Sequence, residues 1–259
     1  MQLQKTLYKI LTRLPLVPKK YYCEICNSDI FKFIPLAKFY KEYSKQYNFP
    51  YSSADFETID PDNFYCPKCF SFDRERLYLY YLKRYHNFNP SDILLEFAPS
   101  PSFAKMIEKV FPIQYKTSDL FMDGVDYKLD IQDLSSISNN SVDFIICSHV
   151  LEHIPDDVKA MRNMYNILKR GGKAIMMVPI LKNFDEIDED PNCTDVAERW
   201  RRFGQDDHIR LYSQKVFRER LQFAGFTVEL FKAEQANKND LLRLGVPKNF
   251  VLYIAKKGE

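Results

Sequence analysis

The chain has 259 residues, 46% of them apolar, and 37 basic against 35 acidic residues leave a net charge of +2. That apolar fraction is enough for a packed core and excludes wholesale disorder. The near-neutral balance calls for neither a polyanionic nor a polycationic partner, and no apolar run approaches the ~18 residues of a membrane-spanning helix. At the start of the chain, Leu3, Leu7, Ile10, Leu11 and Leu14 recur at helical spacing, interrupted by Lys5, Lys9 and Arg13. This predicts an amphipathic helix over 1–20, packed on the protein rather than on a membrane. A secretory leader would need an unbroken apolar stretch. The expected compartment is therefore the cytoplasm, whose reducing conditions disfavour disulfides.

Two Cys-x-x-Cys pairs come next, Cys23/Cys26 and Cys66/Cys69. Each tight turn can aim two sulfurs at one point, and two turns complete a tetrahedral four-thiolate zinc site, closed and hence structural. A redox dithiol is the alternative, but it would open a helix in a βαβ unit, and neither pair does. The 39 residues between Cys26 and Cys66 (66 − 26 − 1) exceed the usual spacing, so an inserted loop or helix is expected there. Ser71, Asp73 and Glu75 predict a helix start, with the helix running to about His86, read as a helix-end residue. Residues 21–90 thus read as a zinc-ribbon-like module with its following helix. Residues 1–90 carry 14 basic and 9 acidic residues, a bias of +5. Asn87 to Ser91 read as a linker, and Cys147 as a core thiol.

From 91 to 259 the pattern alternates. Strands are predicted at 92–98, 113–118, 127–130, 142–148, 173–178, 226–231 and 250–255. Helices are predicted at 101–110, 155–169 (capped by Gly171-Gly172) and 213–224. The alternation demands an α/β, Rossmann-like sheet, mainly parallel, with helices on both faces. Ligands in such sheets bind outside the carboxyl ends of the strands. Short polar residues stand at those ends: Glu96 on the first strand, Asp119 on the second, Asp130 followed by Ile131 on the third, Ser148-His149 on the fourth. Each could merely cap a loop. Together they outline a nucleoside pocket, with Asp119 placed to accept ribose hydroxyls.

At these residues the stretch from Asp92 to Ala255 resembles the class I S-adenosylmethionine-dependent methyltransferases, of the small-molecule type seen in quinone biosynthesis. Leu95-Glu96-Phe97-Ala98 resembles the first motif of that family, Asp119 the acidic residue of the second, and Asp130-Ile131 the third. Ser141 through Ile154, which includes Ser148-His149 and Leu151-Glu152-His153, is the most specific match, and Leu168 to Lys173 resembles the turn before the fifth strand. The resemblance implies a seven-stranded sheet ending in an antiparallel hairpin and S-adenosylmethionine held by Glu96, Ala98, Ser100, Asp119, Asp130, Ile131, Ser148 and His149. The family's first loop is glycine-rich. Here it reads Ala98-Pro99-Ser100-Pro101-Ser102, and a loop requiring positive φ is not expected to follow the usual path.

Methyl transfer needs alignment, plus a base where the acceptor must lose a proton. The candidates are His208 and His153, with Arg210 and Tyr212 binding an anionic or hydroxylated substrate. His208, Arg210 and Tyr212 lie in or at the end of a long insertion, about 180–212, where substrate lids occur. The acidic run 185–190 reads as a surface loop. The sequence therefore predicts a methyltransferase acting on a small molecule, such as a sugar or a cell-surface precursor. An RNA methyltransferase whose zinc module grips nucleic acid is the second reading, and a non-catalytic scaffold the third. No feature points to a particular oligomeric state.

Overall fold

The computed structural model describes residues 20–247 and 249–259. Apart from Lys20, the expected N-terminal helix lies outside them. The described chain opens with a hairpin of β1 (Tyr21–Cys23) and β2 (Ser28–Ile30), then α1 (Lys38–Gln46) and α2 (Asp73–Tyr85). There follow β3 (Ile93–Phe97), α3 (Pro101–Val110), β4 (Gln114–Asp119), β5 (Tyr127–Lys128), β6 (Val142–Ser148), α4 (Asp157–Ile167) and β7 (Leu168–Met177). An insertion holds β8 (Ile180–Leu181), β9 (Ile187–Glu189), α5 (Val196–Phe203) and β10 (Arg210–Ser213). The chain closes with α6 (Gln214–Phe223), β11 (Thr227–Lys232), α7 (Lys238–Leu244) and β12 (Val251–Lys256).

Seven strands form the main sheet in the order β11-β12-β7-β6-β3-β4-β5. The run from β7 to β5 is parallel, whereas β12 is antiparallel to both neighbours. This is the expected α/β, Rossmann-like methyltransferase sheet with its terminal hairpin. Sequence explains the strand positions. Ile-Leu-Leu-Glu-Phe in β3 is buried after its first residue, and β6 reads nearly as continuously apolar, as strands covered on both faces must. In β4, nearer the edge, only Ser118 is fully buried. Ser100 caps α3 by accepting from the Phe103 amide, with Pro101 at the first helical position. Among the described residues no helix is long and apolar enough to cross a membrane.

Two local expectations differ from the structure. The helix expected at 155–169 ends at Ile167, and the Gly171-Gly172 pair lies inside β7 instead of capping it. The register of β6 on β7 jumps there, with Val142 opposite Leu168 but Phe144 opposite Lys173. A Cβ on Gly172 would sit 2.8 Å from both Leu168 Cγ and the Lys169 carbonyl, so the irregularity requires glycine. The insertion, expected as a lid, folds into a second sheet, β8-β10-β9. Its acidic run is spent on arginines: Asp188 and Asp190 pair with Arg202, and Glu189 with Arg210 and Arg220.

The inserted segment between the cysteine pairs packs on this same sheet. Trp200 of α5 lies against Tyr43 and Tyr47, with ring centroids 5.1 and 6.1 Å away. Further along, the Thr58 hydroxyl donates to the Val251 carbonyl and accepts from its amide. From Asp73 to Leu82, α2 is buried at every position but Arg74. It is sandwiched between the cysteine module and the main sheet.

Candidate active site and cysteine centre

The four cysteines expected to share an ion converge. Cys23 Sγ lies 3.8 Å from Cys69 Sγ, and Cys26 Sγ 3.7 Å from Cys66 Sγ. All four sulfurs fall within 4.8 Å of one another. A tetrahedron with metal–sulfur bonds of about 2.3 Å has edges of about 3.8 Å, so the donor set fits zinc. The Lys68 amide points at Cys66 Sγ at 3.4 Å, and Ser71 Oγ stands 3.2 Å from Cys69 Sγ. Behind the sulfurs, Arg76 is fully buried. Its guanidinium donates to the carbonyls of Leu244 at 2.7 Å, Asn63 at 2.5 Å, Gly245 at 3.1 Å and Ser71 at 3.4 Å. A cation there offsets the charge that four thiolates concentrate.

The rim of the main sheet is laid out by register. Phe97 pairs with Cys147 on one side and Ser118 on the other, and the Ala98 amide continues the ladder to the Ser118 carbonyl. Ser148, Ala98, Asp119 and the residues after Lys128 therefore stand side by side at the carboxyl ends. Three strand spacings of about 4.8 Å give about 14 Å, room for a nucleoside and its tail laid across the strands. Ala98 is exposed at the turn and has φ +51°. The glycine-free loop thus adopts a left-handed residue after all. Alanine takes the place that glycine would fill more cheaply, because flanking contacts hold it.

Those contacts come from the N-terminal module. Glu75 on α2 bonds to Ser100, and the Ser102 hydroxyl donates to the Cys69 carbonyl. Tyr78, also on α2, meets Ser148 Oγ at 2.7 Å. Glu96 accepts from the Tyr115 hydroxyl beneath the loop, and burial pushes its carboxyl up to about 8. Asp119 spends Oδ1 on the amides of Phe121 and Met122, both at 2.7 Å; among the described residues no hydrogen bond to Oδ2 is formed. Asp130 Oδ1 likewise caps the Gln132 amide, with Ile131 buried beside it. Phe121, 83% exposed, and its neighbours Leu120 and Met122 form an apolar wall next to Asp119 that sequence reasoning missed.

Beyond Ser148 the chain turns sharply, with His149 at φ +55°, into the short 3-10 turn Leu151–His153. Here the structure gathers His149, Glu152, His153 and His208. His149 Nδ1 lies 3.3 Å and His208 Nε2 4.0 Å from Glu152 Oε1. The rings of His153 and His208 are 4.8 Å apart, centroid to centroid. Burial holds His149 below the usual imidazole range, with the Arg74 charge assisting, and burial takes His208 down to about 4. In the sequence Glu152 is one residue of the Leu151-Glu152-His153 stretch, and its i, i+3 relation to His149 is the signal for this contact.

Arg210 and Tyr212, expected to touch substrate, are buried and occupied. Arg210 donates to the carbonyls of Leu151, Ile154 and Pro155, and the Tyr212 hydroxyl donates to Asp157 Oδ2 at 2.5 Å. They hold the turn that carries Glu152 and His153 rather than reaching a ligand. His208 is 3% exposed, so His153, with 30% of its side chain exposed, is the more accessible imidazole of the pair.

The seven-strand order and this rim define a methyltransferase with the class I, S-adenosylmethionine-dependent architecture. Residues 72–230, more than half of the chain, match the family described as "Methyltransferase domain", and the chain belongs to that family. The match opens at the head of α2. No curated protein matches it. Solved structures with a similar fold include the methyltransferase bound to the Trm112 activator from Haloferax volcanii, 15% identical, with 70% of this chain and 89% of that one covered and a TM-score of 0.46. A SAM-dependent methyltransferase from Archaeoglobus fulgidus is 16% identical over 71% and 91%, with a TM-score of 0.46. Phosphoethanolamine N-methyltransferase 2 of Haemonchus contortus, in complex with S-adenosyl-L-methionine, is 15% identical over 75% and 54%, with a TM-score of 0.49. At these identities the likeness is one of fold.

Proposed function

We propose that the protein transfers a methyl group from S-adenosylmethionine to a small molecule, with a structural zinc ion held by Cys23, Cys26, Cys66 and Cys69. One observation carries this reading: the strand ends align Ser148, Ala98 at positive φ and Asp119 beside a buried histidine–carboxylate cluster. When bound, the cofactor supplies an electrophilic methyl on a sulfonium. The exposed Ala98 lets the backbone approach it, Ser100 and Ser148 offer hydroxyls to its amino-acid end, and Asp119 Oδ2 accepts from the ribose. Asp130 and Ile131 flank the base. His149 lies between this rim and the acceptor side.

His153 and His208 each direct Nδ1 at a backbone carbonyl, of Asp207 at 3.2 Å and Phe203 at 3.3 Å. A carbonyl only accepts, so Nδ1 carries the proton and Nε2 of each ring is left as the proton-accepting atom. That is the form in which either ring manages the proton of an acceptor hydroxyl or amine. The zinc module shapes the acceptor side through α2 and supports a small substrate better than RNA. Two of its basic residues are already engaged by acids, Arg84 with Glu24 and Asp240 and Lys83 with Glu24.

The test is calorimetry with S-adenosylmethionine, followed by a labelled-methyl screen of fractionated lysate. Asp119→Ala is expected to weaken cofactor affinity at least about tenfold, the loss of one charge-assisted hydrogen-bonding group. An absence of heat with the wild-type chain removes the enzymatic reading.

A further inference from the structure

Glu152 is fully buried, and neither carboxylate oxygen makes a well-formed hydrogen bond among the described residues, although His149 Nδ1 stands 3.3 Å from Oε1. A buried carboxylate without a donor costs several kcal/mol unless a cation answers it. The groups facing it are imidazoles, and two of them present the wrong atom for donation. With Nδ1 of His153 and His208 fixed on the carbonyls of Asp207 and Phe203, both Nε2 atoms offer lone pairs. One carboxylate oxygen and one ring nitrogen of each imidazole converge within 4.8 Å of one another. Three lone-pair donors pointed at one volume repel one another, and a metal ion removes that repulsion.

The surroundings are those of a ligand set held in place. In metal sites the second ring nitrogen is commonly anchored by a carbonyl or carboxylate, which fixes tautomer and ring plane. Both anchoring carbonyls here belong to the segment 203–207. The Ile209 amide bonds the Glu152 carbonyl at 3.1 Å, and Arg210 ties down the carbonyls of Leu151 and Pro155 at 2.8 and 2.9 Å. The two chain segments that carry the donors are therefore locked to each other. The opening is at His153, the most exposed of the three.

We propose that Glu152, His153 and His208 bind a divalent transition-metal ion, with His149 adjoining, and that the methyl acceptor is a hydroxyl-bearing small molecule whose oxygen takes an open position on that ion. Two imidazoles and one carboxylate suit zinc or another first-row divalent ion, and three protein ligands leave room for water or substrate. The metal site stands on its own geometry; the acceptor class rests on the methyl-transfer reading above. With both Nε2 atoms engaged on the ion, neither ring serves as the base in this arrangement, and the bound hydroxyl releases its proton to solvent, as metal-bound oxygen acids do near neutral pH. An oxygen lone pair then forms the O–CH3 bond while the S–CH3 bond breaks. Its electron pair stays on sulfur, which leaves S-adenosylhomocysteine and the methyl ether.

The full chain, its four-cysteine site loaded with zinc, is titrated with Co2+ and followed by visible absorption. The expected result is one saturable equivalent whose spectrum lacks thiolate-to-cobalt charge transfer. Glu152→Gln and His153→Asn each weaken that uptake at least tenfold and leave the four-cysteine zinc in place. Failure of the wild-type chain to take up a second equivalent overturns the site, and so does undiminished uptake in both folded variants. Should a variant fail to fold, the wild-type titration alone decides. Methylation is then assayed with hydroxylated acceptors and their deoxy counterparts. Metal uptake together with S-adenosylmethionine binding but equal rates on both acceptor sets overturns the hydroxyl acceptor. Metal uptake without S-adenosylmethionine binding defeats the methyl-transfer reading while the metal site stands.

Discussion

Ala98 shows how a single side chain can carry a conformation that its type disfavours. At φ +51° an alanine costs about 1–2 kcal/mol relative to the right-handed region, because Cβ crowds the carbonyl. The Ser118 carbonyl, Glu75 on Ser100 and Cys69 on Ser102 repay this by gripping the loop on both sides. Ala98→Gly is expected to leave cofactor affinity within about twofold. Ala98→Val adds a β-branched side chain at positive φ on the exposed rim. It is expected to lower both stability, by about 1–3 kcal/mol, and cofactor affinity. Thermal unfolding and calorimetry on the pair check this; equal affinity in the two variants would contradict the close approach.

Glu96, below the same loop, links folding to pH. Burial, assisted by the Glu75 charge, raises its carboxyl to about 8 in the folded chain, against an unfolded value of about 4.3. Between those values the folded state keeps a proton that the unfolded chain releases. Stability therefore falls as pH rises from about 5 toward 8, by as much as about 1.4 kcal/mol per unit. Glu96→Gln removes the titrating group, so its urea midpoint should drop less between pH 6 and pH 8 than that of the wild type.

At the scale of elements, α2 joins two regions that sequence reasoning kept apart. Its first turn holds Asp73, Glu75 and Arg76, all buried, and each serves a different neighbour. Asp73 accepts from the Asp60 amide at 2.8 Å, Glu75 reaches the rim loop, and Arg76 fastens the end of α7 behind the cysteines. Replacing Arg76 by leucine strands four carbonyls away from water, each costing about 1–3 kcal/mol. The expected loss is at least about 3 kcal/mol, read from chemical denaturation, with Arg76→Lys recovering only part because an ammonium cannot reproduce the planar fork. The helix start itself was legible from Ser71, Asp73 and Glu75. The destinations of those side chains were not, since partners such as Leu244 lie 168 positions away.

Across the whole molecule, the cysteine module is coupled to the insertion through aromatic contact. The single tryptophan, Trp200, is 5% exposed and lies against tyrosines of and just after α1, between the two cysteine pairs. Metal removal should free that segment, since a four-thiolate ion contributes folding free energy of roughly 10–16 kcal/mol. Strong chelation is therefore expected to shift Trp200 emission to the red, and readdition of zinc to reverse it. Unchanged emission after verified metal loss would mean that the segment docks without the ion.

By itself the sequence determined what depends on local period and short spacing. That covers the strand runs of β3 and β6, the Ser100-Pro101 helix start, the two Cys-x-x-Cys turns and the polar residues at strand ends. These features follow from backbone geometry within a few residues. The tertiary structure decided what depends on chain segments meeting from afar: that Ala98 is held left-handed, that Arg210 and Tyr212 brace a turn, and that Glu152 faces three imidazoles, one of them 56 positions on. The physical reason is that burial and hydrogen-bond satisfaction are properties of the assembled neighbourhood. An arginine or a glutamate reads the same in sequence whether its charge ends in water, on four carbonyls or, as with Glu152, among imidazoles.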